Sequence, residues 1–222
     1  MWKYIFSIGL LVTSLFAFGQ EQQAEKKKEP IDWRPYEIKI GVSAIRSART
    51  FVGNDDFTTH ELEAALALHR YNVVFDYGIE EHQRGETFDY LNKGSYFRAG
   101  IDRNFSKNKE SGNSLTLGLR YARAYFSDEF SYTSDQGFGE ENYQLENSDL
   151  TARWLELAFG VRGRIISNFY MGFTMRWQFS RKINGEGNLK TFDIPGFGKT
   201  RRQNSTAFDY YLMWRIPFKK NS

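Results

Sequence analysis

The strongest constraint on this chain is a twofold alternation of side chains through residues 154–179. Large apolar side chains occupy every second position on both sides of a short break. They are Leu155, Leu157, Phe159, Val161, Phe169, Met171, Phe173, Met175, Trp177 and Phe179. A period of two places these residues on one face of a β-strand and the intervening ones on the other. The break at residues 165–168 therefore predicts an antiparallel hairpin that is apolar on one face only.

The second face of this hairpin is not an ordinary solvated face. A solvated face would be rich in Lys, Glu and Thr, whereas here glycines and other small residues separate isolated charges of both signs. Small residues and isolated charges suit the interior of a narrow barrel whose outer surface faces lipid. The alternation by itself therefore favours a membrane barrel over a soluble sheet.

The same pattern recurs along the chain from Tyr36 onward. Eight strands are predicted, at residues 36–49, 60–69, 72–81, 95–105, 115–122, 154–162, 169–180 and 208–218. Residues 60–69 also have high helix propensity, but their alternation and the two-residue break that follows favour a hairpin. The breaks between strands alternate long and short. This pattern predicts an eight-stranded antiparallel up-and-down transmembrane β-barrel with long outer loops and short periplasmic turns.

The charged residues within the strands argue against a soluble barrel of the lipocalin type, whose apolar side chains face inward. These charges share a face with the glycines, which belong where the walls of a barrel crowd together. They are Arg98, Asp102, Arg120, Glu156, Arg162, Arg176, Asp209 and Arg215. Because side chains about fill an eight-stranded barrel, we expect these charges to form a luminal network of ion pairs. A continuous charged channel is the alternative.

The two ends of the chain predict export and assembly. Residues 1–19 combine Lys3 with a short apolar run and predict a signal peptide that is cleaved before Gln20. Residues 20–35 predict a disordered periplasmic tether, residues 36–218 the barrel and residues 219–222 a periplasmic tail. The last strand carries the predicted signal for the barrel-assembly machinery, formed by Tyr210, Leu212, Trp214, Ile216 and Phe218.

Several short sequence motifs in the predicted barrel resemble those of a known protein family. They are KGSYFRAGID at residues 93–102, ARWLEL at 152–157, NFYMG at 168–172, IPGF at 194–197 and WRIPF at 214–218. Together they resemble an uncharacterised family of small outer-membrane β-barrel proteins from Bacteroidota, over most of residues 36–218. The resemblance implies a barrel in the bacterial outer membrane and brings no activity with it. The chain departs from such barrels in having four residues after Phe218, where they usually end on the aromatic residue.

Composition and motifs argue against several other classes of function. The chain has no Cys, which excludes disulfides, thiolate metal sites and a lipid-modified N-terminal Cys. Its formal net charge is only +3, without a basic stripe among aromatics, so we expect no nucleic-acid partner.

Residues 196–200 end like a phosphate-binding loop, but Asp193 stands where that motif needs a glycine. His82 could form a hydrolase or metal site with Glu80 and Glu81, but no serine stands at a recognisable spacing, so we interpret it as a rim histidine.

We therefore expect a monomeric outer-membrane barrel that is surrounded by lipid and has no cofactor or metal. Two functions stay open. The first is a structural or surface-interaction protein whose loops contact an extracellular or periplasmic protein. The second is a narrow route for small solutes, and an outer-membrane enzyme is a third. Matched Arg–carboxylate pairs in the lumen would favour the first function, and a surplus of one sign would favour ion passage.

The two longest predicted loops carry opposite charge. Residues 127–149 contain seven carboxylates and no Lys or Arg, whereas residues 181–204 are mainly basic. Because both loops leave the same rim, we expect them to form a cap over the mouth of the barrel. The side chains expected between them are Phe130, Phe138, Phe192 and Phe197. Two independently mobile loops are the alternative.

Overall fold

Eight long strands close into one antiparallel ring in this computed structural model, which describes residues 32–52, 57–85, 88–106, 113–135 and 140–218. The ring consists of β1 (Pro35–Ser43), β2 (Phe57–Leu68), β3 (Tyr71–Gly85), β4 (Asp89–Asn104), β5 (Ser114–Asp135), β6 (Glu140–Ile166), β7 (Phe169–Asn184) and β10 (Ser205–Pro217). Each strand pairs with its neighbours in sequence, and β10 pairs with β1 to close the ring. The predicted eight-stranded antiparallel barrel is thus confirmed.

Three smaller elements complete the described chain. Helix α1 (Ala44–Val52) follows β1, and a short hairpin of β8 (Asp193–Ile194) and β9 (Gly198–Lys199) lies between β7 and β10. The predicted signal peptide, residues 20–31 of the predicted tether and residues 219–222 lie outside the described residues. No helix in the described part of the chain is long and apolar enough to cross a membrane.

The two faces of the barrel wall differ in the way that the alternation predicts. The outer face carries exposed apolar side chains from every strand of the ring. They include Ile40, Leu62, Phe75, Ile101, Leu119, Phe159, Met175, Trp177, Phe208 and Trp214. The inner face holds buried polar and charged side chains together with glycines such as Gly41, Gly118 and Gly172. The barrel is therefore apolar outside and polar inside.

The first strand is shorter than the alternation predicts. It ends at Ser43, and α1 replaces the predicted strand residues 44–49. Ser43 is buried and faces the lumen, so a continued strand would turn Ile45 inward and Arg46 outward. The helix instead brings the Arg46 guanidinium to 2.7 Å from Asp209 and 3.1 Å from Glu61. The strand prediction for residues 44–49 was wrong because the ion pairs that Arg46 forms in the lumen favour a helix here over the extended backbone that the alternation predicts.

The predicted polar loop at residues 127–149 was also wrong over most of its length. β5 continues to Asp135 and β6 begins at Glu140, and the two stay paired beyond the apolar part of the wall. A register shift between Phe126 and Asp128 marks the start of this extension. One face of the extension carries Phe130 and Tyr132 opposite Leu145 and Tyr143. Its other positions are polar, so the alternation is too short to reveal the whole extension in the sequence.

The predicted loop at residues 181–204 is partly structured. β7 runs on to Asn184, beyond a register shift opposite residues 153–155 of β6. Ser180 lies within this bulge with a φ of 57°, and the bulge exchanges the two faces of the strand. As a result Ile183, rather than Lys182, packs against the buried residues inside the barrel.

Candidate functional site

The barrel interior contains a buried group of charged side chains, which we call the central cluster. Its arginines are Arg46, Arg98, Arg120, Arg162 and Arg176, and its carboxylates are Glu61, Glu63, Asp76, Glu80, Asp102, Glu156 and Asp209. Arg98, Arg120 and Arg176 are almost completely buried. The cluster is held in place because β2, β3, β4, β5, β6, β7 and β10 direct their polar residues to one enclosed face.

Glu61 on β2 joins the largest number of partners in the cluster. Its carboxylate lies 2.8 Å from Arg98 Nη1, 3.1 Å from Arg46 Nε and 3.4 Å from Arg176 Nη2. The hydroxyls of Tyr96 and Tyr211 also donate hydrogen bonds to it. A carboxylate with this set of donors is fully satisfied despite its burial. Glu61 therefore links three arginines that come from α1, β4 and β7.

A second set of pairs surrounds Arg120 of β5. Its guanidinium donates to Asp76 at 2.8 Å through Nη1 and to Asp102 at 2.8 Å through Nη2. Glu63 lies 3.5 Å from Arg120 Nη1 and accepts from Arg162 Nη2 at 2.7 Å. These contacts cross the lumen between β2 and β6, so the ion pairs connect opposite walls of the barrel.

Glu156 of β6 connects the cluster to neutral hydrogen-bond donors. Its Oε1 accepts from Arg98 Nε at 3.0 Å, from Trp154 Nε1 at 2.7 Å and from Gln178 Nε2 at 2.9 Å. Arg176 completes this part of the cluster by pairing with Asp209 and donating to the Tyr211 hydroxyl at 2.9 Å. Seven of the eight charges named from the sequence thus meet inside the barrel.

Arg215 is the eighth predicted charge, and it lies apart from the central cluster. It pairs with Glu37 at 3.6 Å and donates to the Asn168 side chain at 3.2 Å. Glu37 also pairs with Lys39 at 2.5 Å. These residues form a separate polar group at the end of the barrel where β1 begins and β10 ends.

The sequence did not identify Arg46, Glu61, Glu63, Asp76 and Glu80 as members of the cluster. The four carboxylates alternate with apolar residues on β2 and β3 and share the inner face with Gly78. That parity could have identified them. No sequence signal could have identified Arg46, because its position depends on α1 replacing the end of the predicted first strand.

The charges of the central cluster are paired although their numbers are unequal. Seven carboxylates face five arginines in the described part of the chain, and each carboxylate lies within 3.3 Å of an arginine nitrogen. A buried charge is tolerated when it is paired and hydrogen-bonded. The geometry is therefore that of an ion-pair network in which no carboxylate stands alone.

Little space remains at the end of the lumen where β1 begins. The cavity between Lys39, Glu63, Asp102 and Arg162 measures about 20 Å³. One water needs roughly 10–15 Å³ on this measure. This part of the lumen therefore has no room for a hydrated ion.

The opposite mouth of the barrel is covered by residues 193–198, which we call the cap segment. Ile194 and Phe197 are buried there, with the Phe197 ring 5.5 Å from that of Trp154. The Gly196 carbonyl accepts from Arg98 Nη2 at 3.0 Å and from Gln178 Nε2 at 2.8 Å. The Gly196 N–H points to Glu80 Oε2 at 3.3 Å. The cap segment is therefore hydrogen-bonded directly to the central cluster.

The cap differs from the predicted pair of oppositely charged loops. Where the structure describes side chains, no ion pair joins residues 127–133 or 142–149 to residues 181–204; Lys190 instead lies near Glu186 of its own loop, at 3.9 Å. The contact runs through Asn147, whose amide donates to Asp128 and to the Leu189 carbonyl, each at 2.9 Å. Burial raises the pKa of the Asp128 carboxyl. Hydrogen bonds from the Asn147 amide thus take the place of the expected attraction between charged loops.

Of the four phenylalanines expected between the loops, only Phe197 among the described residues is fully buried. Phe192 is exposed and forms a T-shaped contact with Tyr90, with ring centroids 5.9 Å apart. Phe130 contacts Phe88 instead of the cap segment. Phe138 lies outside the described residues.

Replacing Gly196 by Ala is expected to loosen the cap segment. A Cβ at this position would lie 2.6 Å from the Tyr96 ring, and Gly196 has a φ of 78°. Gly198→Ala is a matched control, because Gly198 has a φ of 92° but no atom within 4 Å of its Cβ position. Both substitutions bear the conformational cost of a positive φ, about 1–3 kcal/mol, and only Gly196→Ala adds the clash. We expect faster tryptic cleavage at Lys199 in Gly196→Ala than in Gly198→Ala, and equal rates would contradict this account of the cap.

His82 lies beside a larger cavity at the capped end. This cavity measures about 810 Å³, and its lining includes Arg46, His82, Asp193 and Phe208. His82 Nδ1 lies 3.1 Å from Asp193 Oδ2. No serine or threonine hydroxyl of the described residues is hydrogen-bonded to this ring. The contact therefore joins β3 to the cap segment and gives no sign of an activated nucleophile.

The fold and its interior define a class of protein, namely a closed eight-stranded antiparallel barrel with an apolar outer face and an ion-paired lumen. The chain belongs to the family described as domain of unknown function DUF6048, whose model matches residues 1–221. No curated protein matches the sequence.

A solved structure with some similarity is that of Neisserial surface protein A (NspA). The identity is 13%, the TM-score is 0.44, and the match covers 82% of this chain and 97% of that chain. Because this similarity is low, the fold assignment rests on the strand pairing of the chain itself.

Proposed function

We infer that the protein is an outer-membrane β-barrel that does not conduct, and that it acts at the cell surface as a structural or surface-interaction protein. The outer face supports a membrane location, because exposed apolar side chains surround a closed ring of strands. Strands can cross a bilayer only when every backbone group is paired, as in a closed barrel. A water-soluble barrel would instead expose polar side chains on this face.

The observation that carries the proposal is the occupied lumen. Arg98, Arg120 and Arg176 are fully buried and bonded to carboxylates from facing strands. A path for ions would require these pairs to separate. Breaking a buried ion pair costs roughly 3–5 kcal/mol, so the closed arrangement is strongly favoured over an open pore. The two surplus carboxylates do not change this conclusion, because each is paired with an arginine.

The extended β5–β6 hairpin supports a role at the surface. Aromatic rings line it and the residue before β4, with Phe88 5.4 Å from Phe130 and Phe130 5.8 Å from Tyr132. The rings of Tyr132 and Tyr143 stack at 4.9 Å, and a groove of about 410 Å³ lies beside them. Exposed aromatic side chains are typical of binding surfaces. This hairpin is the surface that we expect to contact an extracellular partner.

The purified barrel is expected to show no single-channel steps in planar bilayers, because the lumen has no free path. Insertion must be shown independently, by compact gel migration of the unboiled protein and slower migration after boiling. A larger porin in the same bilayers serves as the positive control. Stable conductance steps from the folded protein would contradict the closed-lumen proposal. Identical migration before and after boiling would contradict the membrane barrel itself.

A further inference from the structure

Three basic side chains stand side by side on the outer face of the barrel, and we call them the cationic row. Arg123 of β5 lies opposite Arg153 of β6, and Arg153 lies opposite Lys182 of β7. Cross-strand neighbours have Cβ atoms about 4.5–5.5 Å apart, and like charges in these positions repel each other. The described exposed ion pairs lie elsewhere, at Lys93–Glu81 and Lys190–Glu186. Within the described residues, no carboxylate forms an ion pair with the row, so the row concentrates positive charge.

The side chains of the row are available to an external ligand. Arg153 and Lys182 are exposed, and Arg123 is half-buried with its guanidinium 4.8 Å from the centre of the Tyr125 ring. The bulge at Ser180 is what turns Lys182 outward, because Ile183 beside it packs into the barrel. Without this bulge, Lys182 would face the interior. The backbone irregularity thus completes the row.

The row has a defined level on the barrel. The next outward-facing set toward the apolar part of the wall is Tyr121, Leu155 and Phe179, which are also direct cross-strand neighbours. The next outward-facing set beyond the row is Tyr125, Thr151 and Asn184, so the continuous apolar part of the wall ends where the cations begin. In a membrane barrel this is the level of the lipid phosphate groups. This step rests on the proposed membrane location.

We propose that the cationic row binds the phosphate groups of anionic lipids in the leaflet at the capped end. Arginine matches a phosphate through two parallel N–H donors, and Arg123 and Arg153 are close enough to share one anion. A neighbouring pocket on the other edge of β7 has the same character. It measures about 510 Å³, and its lining includes Trp177, Lys199, Arg201 and Arg202. Trp177 gives this pocket an apolar surface, and Lys199, Arg201 and Arg202 give it positive charge.

The test compares phosphatidic acid with phosphatidylcholine bound to the detergent-purified full chain, counted by native mass spectrometry. The wild-type barrel is expected to retain phosphatidic acid preferentially. The triple variant Arg123→Gln, Arg153→Gln and Lys182→Gln is expected to lose about 100-fold in affinity, at roughly fivefold for each basic residue near a lipid surface. Its apparent affinity for phosphatidylcholine should not change.

The matched control removes the same charge from the same end of the barrel. Arg84, Lys93 and Lys190 are exposed basic residues that are not cross-strand neighbours of each other. Their triple Gln variant should bind phosphatidic acid like the wild type. Equal losses in the two triple variants, or no lipid preference in the wild type, would overturn the proposal.

Two further measurements distinguish a lipid headgroup from soluble phosphate and show whether each variant has folded. Competition by inorganic phosphate at millimolar concentration would assign the row to a soluble phosphate and overturn the lipid headgroup, whereas its absence supports the lipid. Heat-modifiable migration of each variant shows whether the barrel has folded. A wild-type barrel that folds but binds no anionic lipid contradicts only this inference, whereas a chain without heat-modifiable migration contradicts the proposed function.

Discussion

Glu61→Ala is expected to lower the free energy of unfolding by about 3–5 kcal/mol, the cost of breaking a buried ion pair. The substitution removes the carboxylate shared by Arg46, Arg98 and Arg176. It also leaves the hydroxyls of Tyr96 and Tyr211 without this acceptor. The remaining carboxylates cannot move to compensate, because each already has another arginine contact within the cluster.

The measurement is urea unfolding in phospholipid vesicles, followed by the loss of the compact gel band. Glu146→Ala is the matched control, because Glu146 is an exposed carboxylate of β6. A surface substitution of this kind changes stability by no more than about 0.5 kcal/mol. Glu61→Gln should fall between the two, because it keeps the side-chain volume and one acceptor. Equal unfolding midpoints for Glu61→Ala and Glu146→Ala would show that the central cluster does not stabilise the barrel.

Gly172→Ala is expected to destabilise the barrel by about 3 kcal/mol, at the upper end of the cost of overpacking. A Cβ on Gly172 would lie 2.0 Å from the Val161 carbonyl oxygen and 2.8 Å from Arg162 Cα, both on β6. These are backbone atoms of the paired strand, so they cannot yield without disturbing the β6–β7 ladder. The Arg162 side chain, whose Cδ is also 2.8 Å away, would shift from Glu63.

Gly163→Ala provides the control for this prediction within the same hairpin. Gly163 lies opposite Met171, directly beside the Arg162–Gly172 pair. Its nearest atom would be the Met171 carbonyl oxygen at 4.0 Å, an ordinary contact distance. We therefore expect Gly163→Ala to unfold at nearly the wild-type urea concentration. Comparable destabilisation by both alanines would mean that the inner glycines are not required by close approach of the strands.

A narrow barrel imposes two separate requirements, paired charges in the lumen and space for their side chains at the wall. Eight strands leave an interior that side chains fill, so charges placed there must be paired and the wall must accommodate them. Glu61 provides the pairing, and Gly172 provides the space in which Arg162 reaches Glu63. The closed lumen depends on both.

The sequence alone was sufficient to predict the number of strands and the two faces of the wall. Residues 155–161 and 169–179 show why, because a strand repeats every two residues and the lipid-facing set must be apolar. This requirement is local, so it is visible in each strand separately. It also placed Arg98, Arg120, Glu156 and Arg176 on the inner face before any pairing was known.

The sequence could not predict how far the strands extend beyond the apolar part of the wall, or where a bulge exchanges the two faces of a strand. Beyond the apolar part of the wall, β5 and β6 stay paired through cross-strand contacts such as Tyr132 with Tyr143. The alternation there covers only two positions on each strand, Phe130 and Tyr132 facing Leu145 and Tyr143, so it is too short to reveal strands of this length. The same holds for the bulge at Ser180, which exchanges the faces of β7.

Only the tertiary structure decided which charges meet. Arg46 enters the lumen because α1 replaces a strand, and Glu61 becomes the most highly connected carboxylate because closure brings β2 opposite β4 and β7. The cap segment likewise reaches Arg98 and Gln178 through the Gly196 carbonyl. Such partners are far apart in the chain, and their contact depends on how the ring of strands closes. Parity in the sequence determines the face that a side chain takes, but the register and tilt of the closed barrel determine its partner.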